Sequence, residues 1–413
     1  MAVTSHFLEG KRIIVVGGGI AGCTFVAALY KLWNPNLRLP EIIVLERDPR
    51  DVRPNNYSIS LHGDSVNGGL VALRQLGLLD ETLKHSIFGL RSGQFKMWDS
   101  NWKELMSTQP RPWGDLPTSS MRIQRSDLEQ MLVMEAERAN ATFHWGVECT
   151  GAERLDNGRI RIAVEDETGV KDNHECDFLV VADGAQSKLR AALRPHDDLK
   201  YAGAVQIGGK AEFPHGIPEP IEENWGLLLS GKGVCCYFSA VDKDTVVWAL
   251  SQQRPEPDTR TSVSTPDRFA VLKEEALRLG NMFSEPFRTI VESTSPSSAF
   301  VTAAMEKEPF RHDDPSLKRT VFIGDANHAV SAFAGNGANL ALKDGWDLAE
   351  NICHGSSLHN AVAAYDRLGF ARAAEAIKSS HQKIDFAHCT SVKDSLLRAG
   401  LATGRWFMRL KGM

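Results

Sequence analysis

A short stretch near the amino terminus restricts the possible folds of this chain more than any other. A β-branched run over residues 13–16 is followed directly by Gly17, Gly19 and Gly22 in the spacing G-x-G-x-x-G. The first glycine of this pattern permits a tight turn, the second lets the backbone approach a pyrophosphate, and the third lets the next helix pack against its strand. The N–H groups at the start of that helix attract phosphate. The stretch therefore predicts a buried parallel strand, a phosphate-binding turn and a helix.

An acidic residue ends the second predicted strand, residues 41–45. Glu46 lies 24 residues after Gly22, near the spacing of a carboxylate that binds the two hydroxyls of an adenosine ribose. An acid at this position repels a 2′-phosphate. The predicted pocket therefore suits FAD or NAD rather than NADP.

Two other interpretations fit parts of this stretch. Residues 13–30 carry no charge, and their number is sufficient to span a bilayer. Four glycines at the centre of the segment argue against a membrane helix. A glycine-rich turn also occurs without any ligand, but the flanking strand, the apolar helix and Glu46 together favour a dinucleotide site.

Composition limits the class of protein. A chain of 413 residues buries a sizeable core, and we expect two domains that share an interface. A net charge of −5, without a basic patch among aromatic residues, gives no reason to expect nucleic acid. The seven cysteines show no C-x-x-C spacing, so we expect reduced thiols and no metal site. The first segment lacks the apolar stretch of a signal peptide, so we expect a cytoplasmic protein.

The remaining pattern predicts an α/β chain with an inserted sheet. Ser126 and Glu129 form a capping box that opens a helix to about Arg138. Asn157-Gly158 indicates a hairpin. Helical periodicity is absent from residues 201–250, where short apolar runs predict an antiparallel sheet, and helices occupy most of the remainder after residue 337.

Three glycine-rich or acidic strand ends stand far apart in the sequence, at residues 17–22, 183–187 and 324–337. Parallel sheets gather such ends at one edge, where ligands bind. With these motifs in this order, the chain from about residue 11 to about 370 resembles the single-component (group A) FAD-dependent monooxygenases of the p-hydroxybenzoate hydroxylase fold. That family includes aromatic hydroxylases and the tetracycline-inactivating flavin monooxygenases.

The resemblance assigns roles to the second and third motifs. Asp183-Gly184, with Ser187 and Arg190 at the family's offsets, implies contacts to the FAD pyrophosphate region and to transiently bound NAD(P)H. Asp325 is implied to hold a ribityl hydroxyl, and the glycine run that follows is implied to abut the flavin ring.

Two arginines match arginines of the family. Arg125 matches one near the FAD chain, and Arg47 one near flavin and substrate, which makes Arg47 the predicted catalytic residue. The predicted cofactor-binding residues are Gly17, Gly19, Ile20, Ala21, Gly22, Glu46, Arg47, Arg125, Asp183, Gly184, Gly324, Asp325, Gly335, Gly337, Ala338 and Asn339.

The chain departs from the family pattern at one place. Residues 329–332 are Ala-Val-Ser-Ala, where the family usually carries a proline or two. The local backbone beside the flavin is therefore expected to differ from that of the family.

The resemblance implies an FAD-dependent, NAD(P)H-consuming monooxygenase that inserts one oxygen atom from O2 into an aromatic or polycyclic small molecule through a flavin hydroperoxide. Hydroxylation and epoxidation, and NADH and NADPH, all remain open. Trp225, Phe238 and Trp248 are expected either to wall the substrate pocket or to form plain sheet core. We expect a monomer or a homodimer that serves secondary metabolism.

The implied architecture is a Rossmann-like FAD-binding domain with an inserted antiparallel-sheet substrate domain and C-terminal helices. Residues 396–410 are expected to form a docked amphipathic helix rather than a membrane-surface segment. The predicted divisions are 1–90, 111–200 and 301–370 for the FAD-binding domain, 91–110 and 201–300 for the substrate domain, and 371–413 for a helical region.

Other functions on the same fold are flavin-dependent halogenases and prenyl reductases, and a different class is a non-catalytic binding protein such as the Rab GDP-dissociation inhibitors. The W-x-W-x-I-P signature of halogenases and the P-x-x-Y-x-W-x-F-P pattern of the reductases are absent from the sequence. A binding protein has no use for intact Asp183-Gly184 and Gly324-Asp325 motifs.

Overall fold

The computed structural model describes residues 5–52, 57–63, 65, 68–256 and 266–390, with residues 266–268 described by their backbone only. The segment 396–410 and part of the loop after Arg47 lie outside the described residues. The strands are β1 Arg12–Val16, β2 Glu41–Glu46, β3 Ser58–His62, β4 Ser86–Phe88, β5 Phe95–Asp99, β6 Glu104–Thr108, β7 Ser120–Gln124, β8 Thr142–Trp145, β9 Val147–Arg154, β10 Ile160–Asp166, β11 Lys171–Cys176, β12 Phe178–Val181, β13 Lys200–Glu212, β14 Trp225–Leu229, β15 Val234–Ala240, β16 Thr245–Gln253, β17 Phe300–Glu306 and β18 Thr320–Phe322. The α-helices are α1 Ile20–Leu32, α2 Gly69–Leu76, α3 Leu79–Lys84, α4 Arg125–Arg138, α5 Lys188–Leu193, α6 Pro266–Leu279, α7 Phe287–Glu292, α8 Asp325–His328, α9 Gly337–His354 and α10 Leu358–Ala387.

A five-stranded parallel sheet, in the order β18-β12-β1-β2-β8, forms the first layer. Its central strand β1 pairs in parallel with β2 and with β12, and residues 13–15 of β1 have no exposed surface. Such burial on both faces explains why the strand sequences are continuous apolar runs rather than alternating ones. The predicted strand–turn–helix unit at the amino terminus is confirmed.

Helix α1 is a core helix of 13 residues. It packs closely against α9, because a Cβ atom added to Gly345 would lie 2.7 Å from the carbonyl oxygen of Ala21. No helix within the described ranges is long and apolar enough to cross a membrane.

A seven-stranded sheet, in the order β17-β13-β16-β15-β14-β5-β6, forms the second large layer. All neighbouring strands in this sheet are antiparallel, except that β14 and β5 are parallel. The predicted antiparallel sheet over 201–250 is confirmed. The sheet also contains β5 and β6, from the segment 91–110 that the sequence places in the substrate domain, and β17. Because β17 belongs to this sheet, the predicted boundary at 301 is too early, and the chain returns to the parallel sheet only after Glu306.

The two faces of the seven-stranded sheet differ. Trp225, Phe238 and Trp248 are buried, with exposed fractions of at most 4%, in a core shared with helices α6 and α7. These aromatic residues are therefore sheet core, and their alternative role as a substrate-pocket wall is wrong. The opposite face, which we call the inner face, carries Met97 and Leu227 and contacts the end of α10.

Two smaller sheets complete the fold. Strands β9, β10 and β11 form the predicted meander, with Gly158 at φ 79° in its first turn. Strands β3, β7 and β4 form a three-stranded sheet between the two large layers. Helix α4 begins at Arg125 with Gln124 as its N-cap, so the prediction that Ser126 caps the helix is wrong. Glu129 instead accepts a hydrogen bond from Arg125.

Candidate cofactor and substrate site

Three strand ends meet at one edge of the parallel sheet. Val16 at the end of β1 lies opposite Val181 of β12, which lies opposite Phe322 of β18. Parallel pairing therefore aligns the residues that follow these strands, which include all three predicted motifs. We call this the cofactor edge.

The glycines after β1 shape a close turn. Gly17 has φ 105°, and a Cβ atom there would lie 2.3 Å from the carbonyl oxygen of Ala182. A Cβ atom on Gly22 would lie 2.1 Å from the carbonyl oxygen of Gly17, whereas one on Gly19 would meet nothing within 4 Å. Gly19 is the N-cap of α1, and no acidic residue lies in the first turn of the helix, which begins with Ile20 and Ala21. An open N-terminus beside a side-chain-free turn fits a pyrophosphate.

Glu46 lies beside this turn, as predicted. Its Oε2 accepts a hydrogen bond from the backbone N–H of Gly18 at 2.7 Å, and its Oε1 accepts one from the N–H of Asp48 at 2.9 Å. Each carboxylate oxygen has a second lone pair, so both can still accept from ribose hydroxyls. Arg47, the predicted catalytic residue, has a side chain that is 58% exposed and lies 3.7 Å from Asp48.

Asp183 holds a buried carboxylate oxygen without a donor. Its Oδ1 has no hydrogen-bond partner within the described residues, and its Oδ2 accepts a long bond, 3.4 Å, from the N–H of Leu189. Burial raises the pKa of this carboxyl group. Ser187 also interacts with this carboxyl group and opposes the effect of burial on its pKa. A buried acceptor normally has a donor, so Asp183 fits a polar ligand at the cofactor edge. Gly184, the next residue, has φ 81°.

Arg190 connects the second and third motifs. Its Nη2 donates to the carbonyl oxygen of Ala185 at 2.5 Å, and its Nη1 donates to that of Ala326 at 3.0 Å and, weakly, to that of Asp325 at 3.4 Å. The residue is 4% exposed. The guanidinium is directed to protein carbonyls, so Arg190 joins the two motifs to each other, and the contact of the second motif with NAD(P)H stays a prediction.

Asp325 follows Gly324, which has φ 58° and is the N-cap of α8. Burial raises the pKa of the Asp325 carboxyl group, while the positive charges of His328 and Arg125 oppose the rise. Arg125 is thus close enough to Asp325 to interact with it electrostatically. Arg125 also donates to the hydroxyl of Tyr57 at 2.8 Å.

The glycine run begins helix α9. Gly335 has φ 62°, and Gly337 is the first helical residue. Asn339 has no exposed surface, and its Oδ1 accepts hydrogen bonds from the N–H groups of His62 at 2.8 Å and Gly69 at 2.9 Å. Its Nδ2 donates to the carbonyl oxygen of Ser60 at 2.9 Å. The side chain of Asn339 is therefore used within the protein, and a cofactor contact by this residue requires its backbone. Ala338 packs against the core.

Helix α10 contacts the segment around residues 329–332, where the sequence lacks the prolines that are usual in the family. Ser331 and Ser380 lie with their Oγ atoms 2.5 Å apart, and Nζ of Lys383 donates to the carbonyl oxygen of Ala334 at 2.6 Å. These contacts join residues 49 positions apart. No local pattern in the sequence could have indicated them.

A buried ionic network behind Gly324 was also not predicted. Oδ2 of Asp344 accepts from the N–H of Gly324 at 2.8 Å and lies 2.5 Å from Nε2 of His328, and Oδ1 accepts from Arg372 at 2.8 Å. Burial by itself would raise the pKa of Asp344, but the charges of His328 and Arg372 hold it well below its ordinary value. Arg372 also pairs with Asp347 at 2.7 Å. The network fixes the third motif against α9 and α10.

The residues at the cofactor edge fit FAD. The open helix N-terminus suits the pyrophosphate, Glu46 suits the ribose, and Asp183 and Asp325 supply acceptors for hydroxyl groups or other donors. These roles of individual residues stay predictions.

Known proteins resemble the chain along most of its length. A family model described as "FAD binding domain" matches residues 11–378. Monooxygenase cfoF of Aspergillus candidus is 42% identical over 94% of this chain and 94% of its own length. Kynurenine 3-monooxygenase of Salinispora tropica is 27% identical over 86% of this chain and 76% of its own length. The structure of Klebsiella pneumoniae HpxO complexed with FAD and uric acid superposes with a TM-score of 0.75 at 18% identity and covers 96% of this chain and 94% of that one.

Proposed function

The chain belongs to the FAD binding domain family and is an FAD-dependent monooxygenase, and on that premise we propose that it uses NAD(P)H and O2 to insert one oxygen atom into an aromatic or polycyclic small molecule. The predicted family, fold class, enzyme class and FAD cofactor are confirmed. The substrate class, the electron donor and the role of each residue are the proposal.

The convergence of the three motifs at the cofactor edge is the observation that carries the proposal. Bound FAD supplies the redox and oxygen chemistry. The protein would bind and orient it: the helix N-terminus would hold phosphate, Asp325 would accept from a polyol hydroxyl, and the glycine-rich run from Gly335 to Gly337 would leave space beside the ring. No side chain is required as a nucleophile.

The inner face of the seven-stranded sheet supports a flat, apolar substrate. Leu227 lies opposite Tyr237 on β15 and opposite Met97 on β5, so the three side chains form one row across the sheet. All three are partly exposed, unlike the buried aromatic residues of the other face. A row of partly exposed apolar and aromatic side chains suits an aromatic ring. Relatives named for kynurenine and complexed with uric acid are consistent with this class.

Arg47 is proposed to bind flavin or substrate when the active site changes between reduction and oxygenation. Its side chain directly after β2 is 58% exposed and interacts only with Asp48 among the ion pairs of the described residues, so no buried contact opposes a change of position. In Arg47→Ala we expect one of two changes. Either the rate of flavin reduction falls a few-fold, or the yield of hydrogen peroxide rises a few-fold at the expense of oxygenated product. Stopped-flow reduction with peroxide quantification measures both, and values equal to those of the wild type would remove Arg47 from the mechanism.

Other parts of the proposal concern the whole protein. We propose a cytoplasmic enzyme of secondary metabolism, a monomer or a homodimer, which takes a small-molecule substrate and does not bind nucleic acid. NAD(P)H is proposed to bind only transiently, because FAD fills the single dinucleotide-binding turn that the sequence shows.

The decisive experiment is a substrate screen with the purified protein. The protein is expected to be yellow, and aromatic compounds are screened for stimulation of NADH or NADPH oxidation. Products formed under isotopically labelled O2 are then analysed by mass spectrometry. Incorporation of one labelled oxygen atom supports the proposal. A halogenated or reduced product, or a colourless protein that binds no FAD, would overturn it.

A further inference from the structure

Arg122 is a buried cation between the two large layers of the protein. It lies on the central strand β7 of the three-stranded sheet and is 5% exposed. Its Nη1 donates to Oγ of Ser60 at 2.8 Å, and its Nη2 donates to Oγ of Ser58 at 2.7 Å and to the carbonyl oxygen of Ser58. Its Nε is buried without a partner in the described part of the chain. All these acceptors are neutral.

No carboxylate neutralises this charge in the described ranges of the chain, where no ion pair involves Arg122. Its Cζ lies 5.9 Å from the ring centroid of Tyr237, and the phenol group is the ionisable neighbour that interacts with it. Burial lowers the pKa of Arg122. Burying an unpaired charge is costly, and a purely structural position would be served better by a neutral side chain.

Two other arginines are buried, and both have carboxylates near them. Arg190 donates to carbonyl oxygens but interacts electrostatically with Asp197 and Asp183. Arg372 is also buried, but Asp344 and Asp347 bind its two terminal nitrogens at 2.8 and 2.7 Å. The fold therefore supplies anions to the arginine that stabilises helices α9 and α10, and it supplies none to Arg122.

Arg122 also lies next to the surfaces that the proposed function uses. Tyr237 belongs to the exposed row of the inner face. Ser60 pairs with Arg122 across the small sheet, and His62, two residues further along β3, contacts the carbonyl oxygen of Gly335 through Nε2 at 3.2 Å. Two residues of a strand span about 7 Å. The two residues of β3 that contact Arg122 and the glycine run are therefore separated by about the width of a small aromatic molecule.

From the unpaired charge and its place between Tyr237 and the glycine run, we propose that Arg122 is a specificity-determining residue that binds an oxyanion of the aromatic substrate. The substrate class is an aromatic ring that carries a carboxylate or an acidic, ionised enol or phenol oxygen. A guanidinium fits either oxyanion with charge-assisted hydrogen bonds. This inference rests on the proposed function, because it takes the inner face as the substrate-binding surface.

The experiment measures binding of matched probes to the FAD-loaded holoenzyme by perturbation of the flavin absorbance. Salicylate against salicylamide tests a carboxylate, and 4-hydroxycoumarin against 4-methoxycoumarin tests an ionised enol. We expect the anionic member of at least one pair to bind about 10-fold or more tightly than its neutral partner, as a charge-assisted contact requires. The pair that shows the preference identifies the type of oxyanion.

Three variants separate recognition from structure. Arg122→Met should abolish the preference while the neutral probe binds as in the wild type, and Arg122→Lys should restore part of it. The thermal midpoint of Arg122→Met should stay equal or rise, because a buried unpaired charge is removed. Arg161→Met, on the exposed side of the meander, is the matched control and should change neither quantity.

Equal binding of both members of each pair by the wild type, including no binding at all, would overturn the inference. An intact preference for the anionic probe in Arg122→Met would also overturn it. A lowered thermal midpoint of Arg122→Met with unchanged probe binding would overturn it too, because that result would identify a purely structural contact of Arg122 with Ser58 and Ser60. If the enzyme binds FAD and oxygenates only neutral aromatic compounds, the proposed function stands and the role of Arg122 is wrong. A protein without FAD or NAD(P)H oxidation would instead contradict the proposed function.

Discussion

The cofactor edge and the inner face are the two binding surfaces that we propose, and different parts of the chain determine them. At the cofactor edge the backbone is decisive: Gly17 and Gly22 are required because neighbouring carbonyl oxygens lie where their Cβ atoms would be. On the inner face the side chains are decisive, and Met97, Leu227 and Tyr237 come from three different strands. The comparison teaches that a cofactor shared by a family is held by local backbone geometry, whereas the substrate surface depends on side chains brought together from distant segments.

The largest effect is expected from the network that supports the cofactor edge. Asp344→Ala removes the anionic partner of His328, one of the two anionic partners of Arg372, and the acceptor of the N–H of Gly324. Loss of one partner of a buried ion pair costs about 3–5 kcal/mol in the free energy of unfolding. Urea unfolding of the wild type, Asp344→Ala and the exposed control Glu375→Ala measures this. A loss no larger than that of the control would mean that the edge does not depend on the network.

Loss of FAD is expected when the third motif is altered. Asp325→Ala removes a charged acceptor from the edge and should weaken FAD binding by about 1.5–3 kcal/mol, or roughly 10–100-fold. The protein should purify largely without flavin but with a native circular dichroism spectrum. Asp156→Ala, on an exposed turn, serves as the control. A full flavin complement and normal turnover in Asp325→Ala would remove the residue from the site.

A change on the inner face should affect the substrate and leave the cofactor in place. Leu227→Trp fills part of the exposed row and should lower substrate-stimulated NAD(P)H oxidation about 10-fold, since a misfit in an apolar pocket costs about 1–3 kcal/mol. FAD content should equal that of the wild type. Leu368→Trp, at a 50% exposed position of α10, is the control. If Leu227→Trp loses FAD but keeps the apparent affinity for substrate, the two surfaces have been assigned the wrong way round.

A smaller effect is expected at the ribose position. Glu46→Gln keeps the shape but removes the charge, which should weaken FAD binding by about 1 kcal/mol, or roughly 5-fold. Fluorescence titration of the apo-protein with FAD measures the change. Glu41→Gln, on the same strand but exposed, should bind FAD as the wild type does. Unchanged affinity in Glu46→Ala would show that the carboxylate only orders the Gly18 turn.

The smallest expected effect is a pH dependence of the supporting network. Burial opposes protonation of His328, but the negative charge of Asp344 outweighs it, so the pKa of His328 is raised above its ordinary 6.5. A raised pKa in the folded state contributes stability that is complete below the unfolded value and is lost as pH rises through the folded value. Unfolding free energies between about pH 6 and about pH 9 should therefore decline more steeply in the wild type than in His328→Gln. Parallel profiles would show that His328 is neutral throughout.

Much of the cofactor edge could be predicted from the sequence. Its signals are local, since each reflects a turn or a strand end within a few residues. They are the glycines at fixed spacing, the acid Glu46 and the motifs at Asp183 and Asp325. Patterns of apolar residues predicted both large sheets for the same reason. The capping box at Ser126 failed because the N-cap of α4 is Gln124, two residues earlier, directly at the end of β7.

The inner face and the supporting contacts were decided by the tertiary structure alone. Alternation along β15 and β16 places aromatic residues on both faces. Only the packing of α6 and α7 determines that Trp248 is core whereas Tyr237 stays partly exposed. Asp344 and Arg372 are 28 residues apart, and Arg122 and Ser60 are 62 apart. A local pattern specifies backbone conformation, but it contains no information about which distant side chain will neutralise a charge. For that reason the sequence by itself determined the family and the FAD-binding edge, whereas the unpaired charge of Arg122 became visible only in the folded chain.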